Sequence, residues 1–124
     1  MPASATGTLS ALTALSPIDG RYGSKTRSLV PYFSEFGLIY YRVLVEIRWF
    51  QQLAAHAWIP EVRPLTDKAQ SHLESILQNF NEADAQDIKN REKVTNHDVK
   101  AVEYFIKAKF DQVPELAADK EFLH

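Results

Sequence analysis

A long apolar run over residues 36–55 constrains the fold of this 124-residue chain more than any other feature. Its apolar residues fall on nearly every side of a helix, and such a helix must be covered from several directions. Arg42, Glu46 and Arg48 interrupt the run, and each charge would cost about 2.5–3.5 kcal/mol at the centre of a bilayer. The run therefore predicts a buried helix that a chain this short covers only partly, so a further domain or subunit is expected.

Overall charge and composition exclude several classes of protein. The formal net charge is -2 at pH 7, so no basic field indicates a nucleic-acid partner. The chain has no cysteine, which excludes disulfides and thiolate metal sites. The first arginine is Arg21, and no apolar block with a basic start resembles a secretory signal. We therefore expect a cytoplasmic protein that has no membrane partner.

Capping residues and apolar periodicity predict an all-α fold. A side chain that can accept an unpaired amide hydrogen precedes three predicted helices, which are predicted to end near residues 56, 80 and 93; these caps are Ser34, Thr66 and Asn81. The helix after Thr66 also has the apolar spacing of a helix with one buried face. Ser24 is predicted to cap a short helix that Pro31 ends, and Pro114 is predicted to break the last helix. The sequence contains no convincing strand.

The segment with the richest polar chemistry is residues 95–100, TNHDVK. Asn96 is predicted to cap a helix with an apolar stripe of Val99, Val102, Ile106 and Phe110, which puts His97 and Asp98 in its first turn, beside the positive end of the helix dipole. Such a turn can hold an anionic group, with His97 as a donor or proton carrier and Asp98 fixing its tautomer. The plainer alternative is a well-capped helix with a surface histidine.

A second candidate is the pair Arg21 and Tyr22 between Gly20 and Gly23. The two glycines are expected to give the backbone the freedom to present both side chains outward. A planar guanidinium beside a hydroxyl suits a phosphate. By local chemistry alone, a turn with a surface arginine and a half-buried tyrosine is the favoured interpretation.

The remaining polar residues give weaker signals. Lys100 and Tyr104 share a face with His97 at helical spacing, although a solvated lysine and a packed tyrosine are the simpler interpretations. His56 and His72 are interpreted as structural. No two histidines have metal-ligand spacing and no glycine-rich phosphate loop occurs, so we expect neither a metal nor a cofactor.

Three separated segments carry a family resemblance: residues 16–22 (SPIDGRY), 41–49 (YRVLVEIRW) and 95–104 (TNHDVKAVEY). In order and spacing they resemble the N-terminal part of the adenylosuccinate lyases of the fumarase/aspartase superfamily, in their bacterial form. The resemblance implies an all-α N-terminal helical domain without the long central helical bundle. It divides the chain into a flexible arm (1–15), the helical domain (16–112) and the start of a connection to the central domain (113–124).

The resemblance also implies a reaction and a set of site residues. Adenylosuccinate lyases release fumarate by β-elimination from adenylosuccinate, giving AMP, and from the succinylaminoimidazole carboxamide ribotide. Arg21 and Tyr22 match the pair at the nucleotide phosphate end, and Asn96, His97 and Asp98 match the substrate-binding loop, where His97 has a supporting catalytic role. His124 matches a substrate-binding position just ahead of a Thr-Ser motif.

The resemblance implies that the family's main catalytic acid and base have no counterpart in this chain. The large apolar residues 122–123 lie close to the last residue, which suggests a piece of a longer protein. We therefore expect a fragment that binds substrate without catalysing alone, within a homotetramer. One alternative is a self-contained helical interaction module that docks through residues 36–55. A helix-turn-helix DNA-binding protein is a more distant alternative, because the recognition helix would carry Glu103 in an acidic chain.

Overall fold

The structure, a computed structural model, describes residues 10–123. Residues 1–9, most of the expected flexible arm, and His124, the predicted substrate-binding position, lie outside the described residues. Every regular element within residues 10–123 is helical, so the predicted all-α class is confirmed. The chain divides into two compact units, Met1–Gly37 and Leu38–His124, and each is described by itself.

The first unit consists of short helical turns. Helix α1 spans Gly23–Thr26, a 3-10 turn spans Arg27–Leu29, and α2 spans Val30–Phe33. The prediction that Ser24 caps a helix ending at Pro31 is wrong. Pro31 is the second residue of α2, where the missing amide hydrogen would have no helical acceptor, so proline is accommodated in the first turn of this helix instead of ending one.

Helix α3 spans Glu35–Ala55 and begins as the capping pattern predicts. The Ser34 hydroxyl accepts the Gly37 amide hydrogen at 3.0 Å. Gly37 is needed for space, because a Cβ atom at this position would lie 2.6 Å from the Pro31 carbonyl oxygen and 2.8 Å from the Tyr32 carbonyl carbon.

The core of the second unit forms where four helices bury one face each. Besides α3, these are α4 (Asp67–Gln78), α5 (Glu82–Thr95) and α6 (Asp98–Phe110). The rings of Phe50 on α3 and Phe110 on α6 meet edge to face, with centroids 4.8 Å apart. The fully buried large side chains of this core include Val43, Ile47, Phe50, Leu73, Ile88, Phe105, Ile106 and Phe110.

Two of the predicted caps in this unit are confirmed. Thr66 accepts the Ala69 amide hydrogen at the start of α4. Asn81 and Asp84 form a reciprocal capping box at the start of α5. Helix α5 then packs against α6 as a helical hairpin. The C-terminal part adds α7 (Pro114–Ala117) and a 3-10 turn (Lys120–Phe122). Pro114 is the first residue of α7 and, like Pro31 in α2, lies in a first turn where the missing amide hydrogen breaks no helical bond.

A buried carboxylate on α6 was not anticipated from the sequence. Glu103 is 6% exposed, and its two oxygens contact Lys100 at 2.9 Å and Lys107 at 3.0 Å. Burial by itself raises the pKa of Glu103, but the hydrogen bonds from both lysines outweigh it and the pKa lies below its usual value. The paired charges allow an ionised group to sit among apolar neighbours.

The outer face of α3 stays uncovered, as its all-round apolar surface predicts. Leu38 is 45% exposed, Val45 63% and Trp49 59%. Within residues 10–123, no helix is long and apolar enough to span a membrane.

Candidate functional site

The α5–α6 connection consists of only Asn96 and His97, and its capping differs from the prediction. Asn96 ends α5 in the left-handed conformation, with φ 53°, and its amide donates to the Glu92 carbonyl oxygen. Asparagine tolerates this region better than other non-glycine residues. The prediction that Asn96 is the N-cap of α6 is therefore wrong, because this residue is already used as the C-cap of α5.

His97 is the N-cap of α6. Its backbone is extended and its ring Nδ1 accepts the Lys100 amide hydrogen at 3.1 Å. A ring nitrogen that accepts a hydrogen bond carries no proton, so the neutral ring holds its proton on Nε2. The His97 side chain is 64% exposed, and Nε2 is therefore the nitrogen that can donate to a ligand.

Asp98 is the first residue of α6 and uses both carboxylate oxygens. Oδ1 accepts the Val99 amide hydrogen at 2.8 Å, and Oδ2 accepts from Nη1 of Arg42 on α3 at 2.8 Å. The Val99 amide and the Arg42 guanidinium hold the pKa of Asp98 below its usual value. The carboxylate is thus ionised at neutral pH and already paired.

The hairpin end surrounds an open pocket of about 610 Å³, here called the α5–α6 pocket, which is lined by Lys89, Glu92, Lys93, Asn96, His97 and Asp98. Lys89 pairs with Glu92 at 3.0 Å, and Asp98 pairs with Arg42. Within the described ranges Lys93 has no ion-pair partner, which leaves the pocket one uncompensated positive charge. This charge balance suits an anionic ligand.

The pocket differs in two ways from a simple helix N-terminus. The Val99 and Lys100 amides, which a bare first turn would offer to an anion, are already bonded to Asp98 and His97. Side chains, chiefly Lys93 and the His97 ring, therefore have to supply the donors. Lys93 was not anticipated from the sequence, although its place three residues before Asn96 was a visible signal.

Lys100 and Tyr104 do not line this pocket. Lys100 Nζ contacts Glu103 and lies 5.6 Å from the centroid of the Tyr104 ring. The lysine therefore neutralises the buried carboxylate, a role that the interpretation as a solvated lysine did not include. Tyr104 is 42% exposed, so its interpretation as a packed tyrosine is wrong.

Arg21 and Tyr22 lie in the first unit, on an exposed turn. The Arg21 guanidinium carbon lies 5.0 Å from the centroid of the Tyr22 ring, and stacking of this kind holds the guanidinium plane while its N–H groups stay available. The backbone argument for the flanking glycines is wrong, since no described glycine has a positive φ. Gly20 is instead required for space: a Cβ atom there would lie 2.9 Å from the Ala11 carbonyl oxygen.

The structure thus brings Asn96, His97 and Asp98 together within the second unit and keeps Arg21 beside Tyr22 within the first. Convergence of the two groups on one ligand stays a prediction. The other described histidines bond to backbone: His56 accepts the Trp58 amide hydrogen, and His72 Nε2 lies 2.8 Å from the Lys109 carbonyl oxygen. Over residues 10–123, no cluster of histidine and acidic side chains could hold a metal ion.

Substitutions at Asn96 test the assignment of this residue as a C-cap. Asn96→Ala is expected to lower the free energy of unfolding by about 1 kcal/mol, because the left-handed conformation is less favourable for alanine than for asparagine. Asn96→Gly is expected to be nearly neutral, since glycine adopts a positive φ readily. Urea unfolding monitored by circular dichroism measures both. Equal effects of the two substitutions would contradict the C-cap assignment.

Comparison with known proteins gives a consistent match. The chain is 57% identical over 117 residues to an adenylosuccinate lyase of Legionella pneumophila, 61% identical over 116 residues to one of Vibrio cholerae, and 55% identical over 116 residues to one of Escherichia coli. Each match covers 94% of this chain. The chain is similar to the adenylosuccinate lyases. The resemblance carried by the three sequence segments is therefore confirmed.

The match covers only part of each adenylosuccinate lyase. The chain spans 26% of the Legionella protein and 25% of the Vibrio and Escherichia proteins. No model of a protein family matches the chain. Because the similar proteins are lyases, the alternative of a self-contained interaction module is not favoured.

Proposed function

We propose that this chain is part of an adenylosuccinate lyase that releases fumarate from adenylosuccinate, giving AMP, and from the succinylaminoimidazole carboxamide ribotide in purine biosynthesis. The observation that carries the proposal is the 55–61% identity to adenylosuccinate lyases over 94% of the chain. The proposal includes a purine nucleotide substrate, a homotetrameric enzyme and a cytoplasmic location.

The reaction breaks a C–N bond by β-elimination. A base removes a proton from the succinyl carbon next to a carboxylate, the electron pair forms the fumarate double bond, and an acid protonates the departing nitrogen. In the proposed enzyme, the principal acid and base belong to the part of the lyase that lies outside the segment matched by this chain. The chain alone is therefore expected to bind substrate without turning it over.

The roles proposed for this chain follow from the chemistry of its exposed side chains. Arg21, stacked on Tyr22, presents a planar set of donors to the substrate phosphate, and the Tyr22 hydroxyl adds one more. At the α5–α6 pocket, Lys93 supplies a positive charge. The side-chain NH2 of Asn96 and the Nε2–H of His97 supply donors for an oxygen of the substrate, where a preorganised donor stabilises developing negative charge.

A hybrid enzyme tests the proposed activity. In the hybrid lyase, this chain replaces the segment that it matches in the Escherichia coli relative. We expect the hybrid lyase to form a tetramer and to convert adenylosuccinate to AMP and fumarate at a rate close to that of the parent, followed by ultraviolet absorbance. A folded, tetrameric hybrid without lyase activity would contradict the proposed function.

Arg21→Ala in the hybrid lyase tests the proposed phosphate contact. A charge-assisted hydrogen bond is worth about 1.5–3 kcal/mol, so KM for adenylosuccinate is expected to rise about 10- to 100-fold. The matched control is Arg27→Ala, which removes the same charge from another exposed position of the first unit and should leave KM within about twofold, as for a surface charge without a partner. Equal effects of the two substitutions would contradict a specific role for Arg21.

A further inference from the structure

We propose that Lys107 is a positioning residue for His124 and acts through residues 120–123, here called the C-terminal turn. The inference rests on the proposed function, because the family resemblance implies that His124 binds substrate. His124 follows the C-terminal turn directly in the sequence. The place of this turn on α6 therefore sets the point from which the chain reaches His124.

The first observation is that Lys107 joins a buried carboxylate to the C-terminal turn. Its Nζ lies 3.0 Å from an oxygen of Glu103 and 3.2 Å from an oxygen of Glu121. The Lys107 and Glu103 side chains are 15% and 7% exposed, so the ammonium is held from the side of the core. Burial by itself lowers the pKa of Lys107, but its hydrogen bonds to both carboxylates outweigh burial and the pKa lies above its usual value. The lysine therefore stays charged and keeps both partners.

The second observation is that charge sets the register of the C-terminal turn on α6. Lys107 and Asp111 carry opposite charges one helical turn apart. Glu121 pairs with the lysine, and Lys120 Nζ lies 3.0 and 3.3 Å from the two oxygens of the aspartate. A shift of the C-terminal turn by one turn of α6 would bring Glu121 towards Asp111, and a contact between like charges is unfavourable. Leu123 is 1% exposed, so apolar burial holds the turn on the protein while the charges select its position.

The third observation is that α6 supports two histidines for which the resemblance implies substrate binding. His97 caps the start of this helix. Lys107 lies ten positions further along, about 15 Å away at 1.5 Å per residue, and is the point where α6 holds the C-terminal turn. One helix therefore fixes His97 directly and His124 through the turn.

The exposure of Glu121 limits the effect expected from its ion pair. Its side chain is 77% exposed, and an exposed pair shifts an equilibrium by up to about fivefold. Loss of Lys107 is expected to have a larger effect, because the buried Glu103 then keeps only Lys100 as a partner.

Kinetics of single and double variants test the proposal in the hybrid lyase. Glu121→Gln is expected to raise KM for adenylosuccinate about three- to fivefold and Lys107→Met about 10-fold, both with little change in kcat. The double variant should have a KM no higher than that of Lys107→Met, because both substitutions remove one interaction. Lys107→Arg should keep KM within about twofold, since a guanidinium can bond to both carboxylates.

Lys109→Met provides the matched control. Lys109 lies on the same helix, and its ammonium lies 5.4 Å from the centroid of the Phe105 ring, so its replacement removes the same charge and should leave KM within about 1.5-fold. Multiplying effects of Lys107→Met and Glu121→Gln would overturn the proposal, because Glu121 would then act on the substrate independently of Lys107. If Lys107→Met does not fold, Glu121→Gln decides, and an unchanged KM in this variant overturns the proposal.

Nuclear magnetic resonance of the 124-residue chain separates this proposal from the proposed function. Lys107→Met is expected to shift the ring signals of His124 and the amide signal of Leu123, whereas Lys109→Met should leave them in place. Unchanged signals in Lys107→Met would overturn the positioning role even if the hybrid lyase is active. A shift seen with an inactive hybrid would support the positioning role while the proposed function failed.

Discussion

Replacing His97 with alanine is expected to lower kcat/KM of the hybrid lyase by about 100- to 1000-fold, the loss typical of removing one preorganised donor from a site of developing charge. The same change removes the N-cap of α6, because Nδ1 no longer accepts the Lys100 amide hydrogen. Loss of a cap costs about 1 kcal/mol of stability. Steady-state kinetics and urea unfolding therefore both have to be measured.

His97→Asn separates the two roles of this side chain. Asparagine is among the best N-cap residues, and its side-chain oxygen can take the place of Nδ1 as acceptor for the Lys100 amide. We expect this variant to keep the stability of the unsubstituted chain while losing activity as strongly as His97→Ala. Near-normal kinetics in His97→Asn would mean that His97 is only a cap, which is the plainer interpretation of the sequence.

Phe110→Ala is expected to lower the free energy of unfolding by about 3–5 kcal/mol, the usual cost of emptying a phenylalanine site in a packed core. Phe110 is 0% exposed, and its ring meets that of Phe50 at 4.8 Å. Urea unfolding of the 124-residue chain measures the loss. Val45→Ala is the control: this side chain is 63% exposed, so its truncation should change stability by less than about 0.5 kcal/mol.

The Phe110 prediction has a clear contrary outcome. A loss below about 1 kcal/mol would mean that α6 does not close the core against α3. Because domains of this size have only about 5–15 kcal/mol of stability in total, the alanine variant can fall below the limit of folding. Phe110→Leu leaves a smaller cavity and should show the same direction of change in a chain that still folds.

The features that could be predicted from the sequence are the ones decided by neighbouring residues. The caps Thr66 and Asn81 bond to amides three positions away, so each cap and its partner lie within four consecutive residues. Asn96 shows where such local reasoning fails, because two helices share a two-residue connection and either of its residues can cap. The left-handed conformation of Asn96 at the end of α5 decided the choice, and no pattern within α6 could have indicated it.

Other features could not be predicted because they join distant parts of the chain. The contact between Arg42 and Asp98 spans 56 positions and produces no periodic pattern in the sequence. Glu103 is intermediate: lysines three positions before it and four after it were visible signs of an internal charge cluster, but only packing shows that the cluster is buried. Arg21 and Tyr22 could be singled out because they are neighbours in the sequence. The reason for Gly20 could not be predicted, because the lack of space for a Cβ atom at this position is visible only in the structure.

The two-residue link between α5 and α6 limits how this region can change during evolution. An inserted residue would have to be accommodated where Asn96 is left-handed and His97 is extended, so it would change the direction in which α6 leaves α5. Val102, Ile106 and Phe110, which are 0–1% exposed, would then lose their places in the interior. A change of side chain at positions 96 and 97 keeps this geometry, whereas a change in the length of the link forces the two helices to repack.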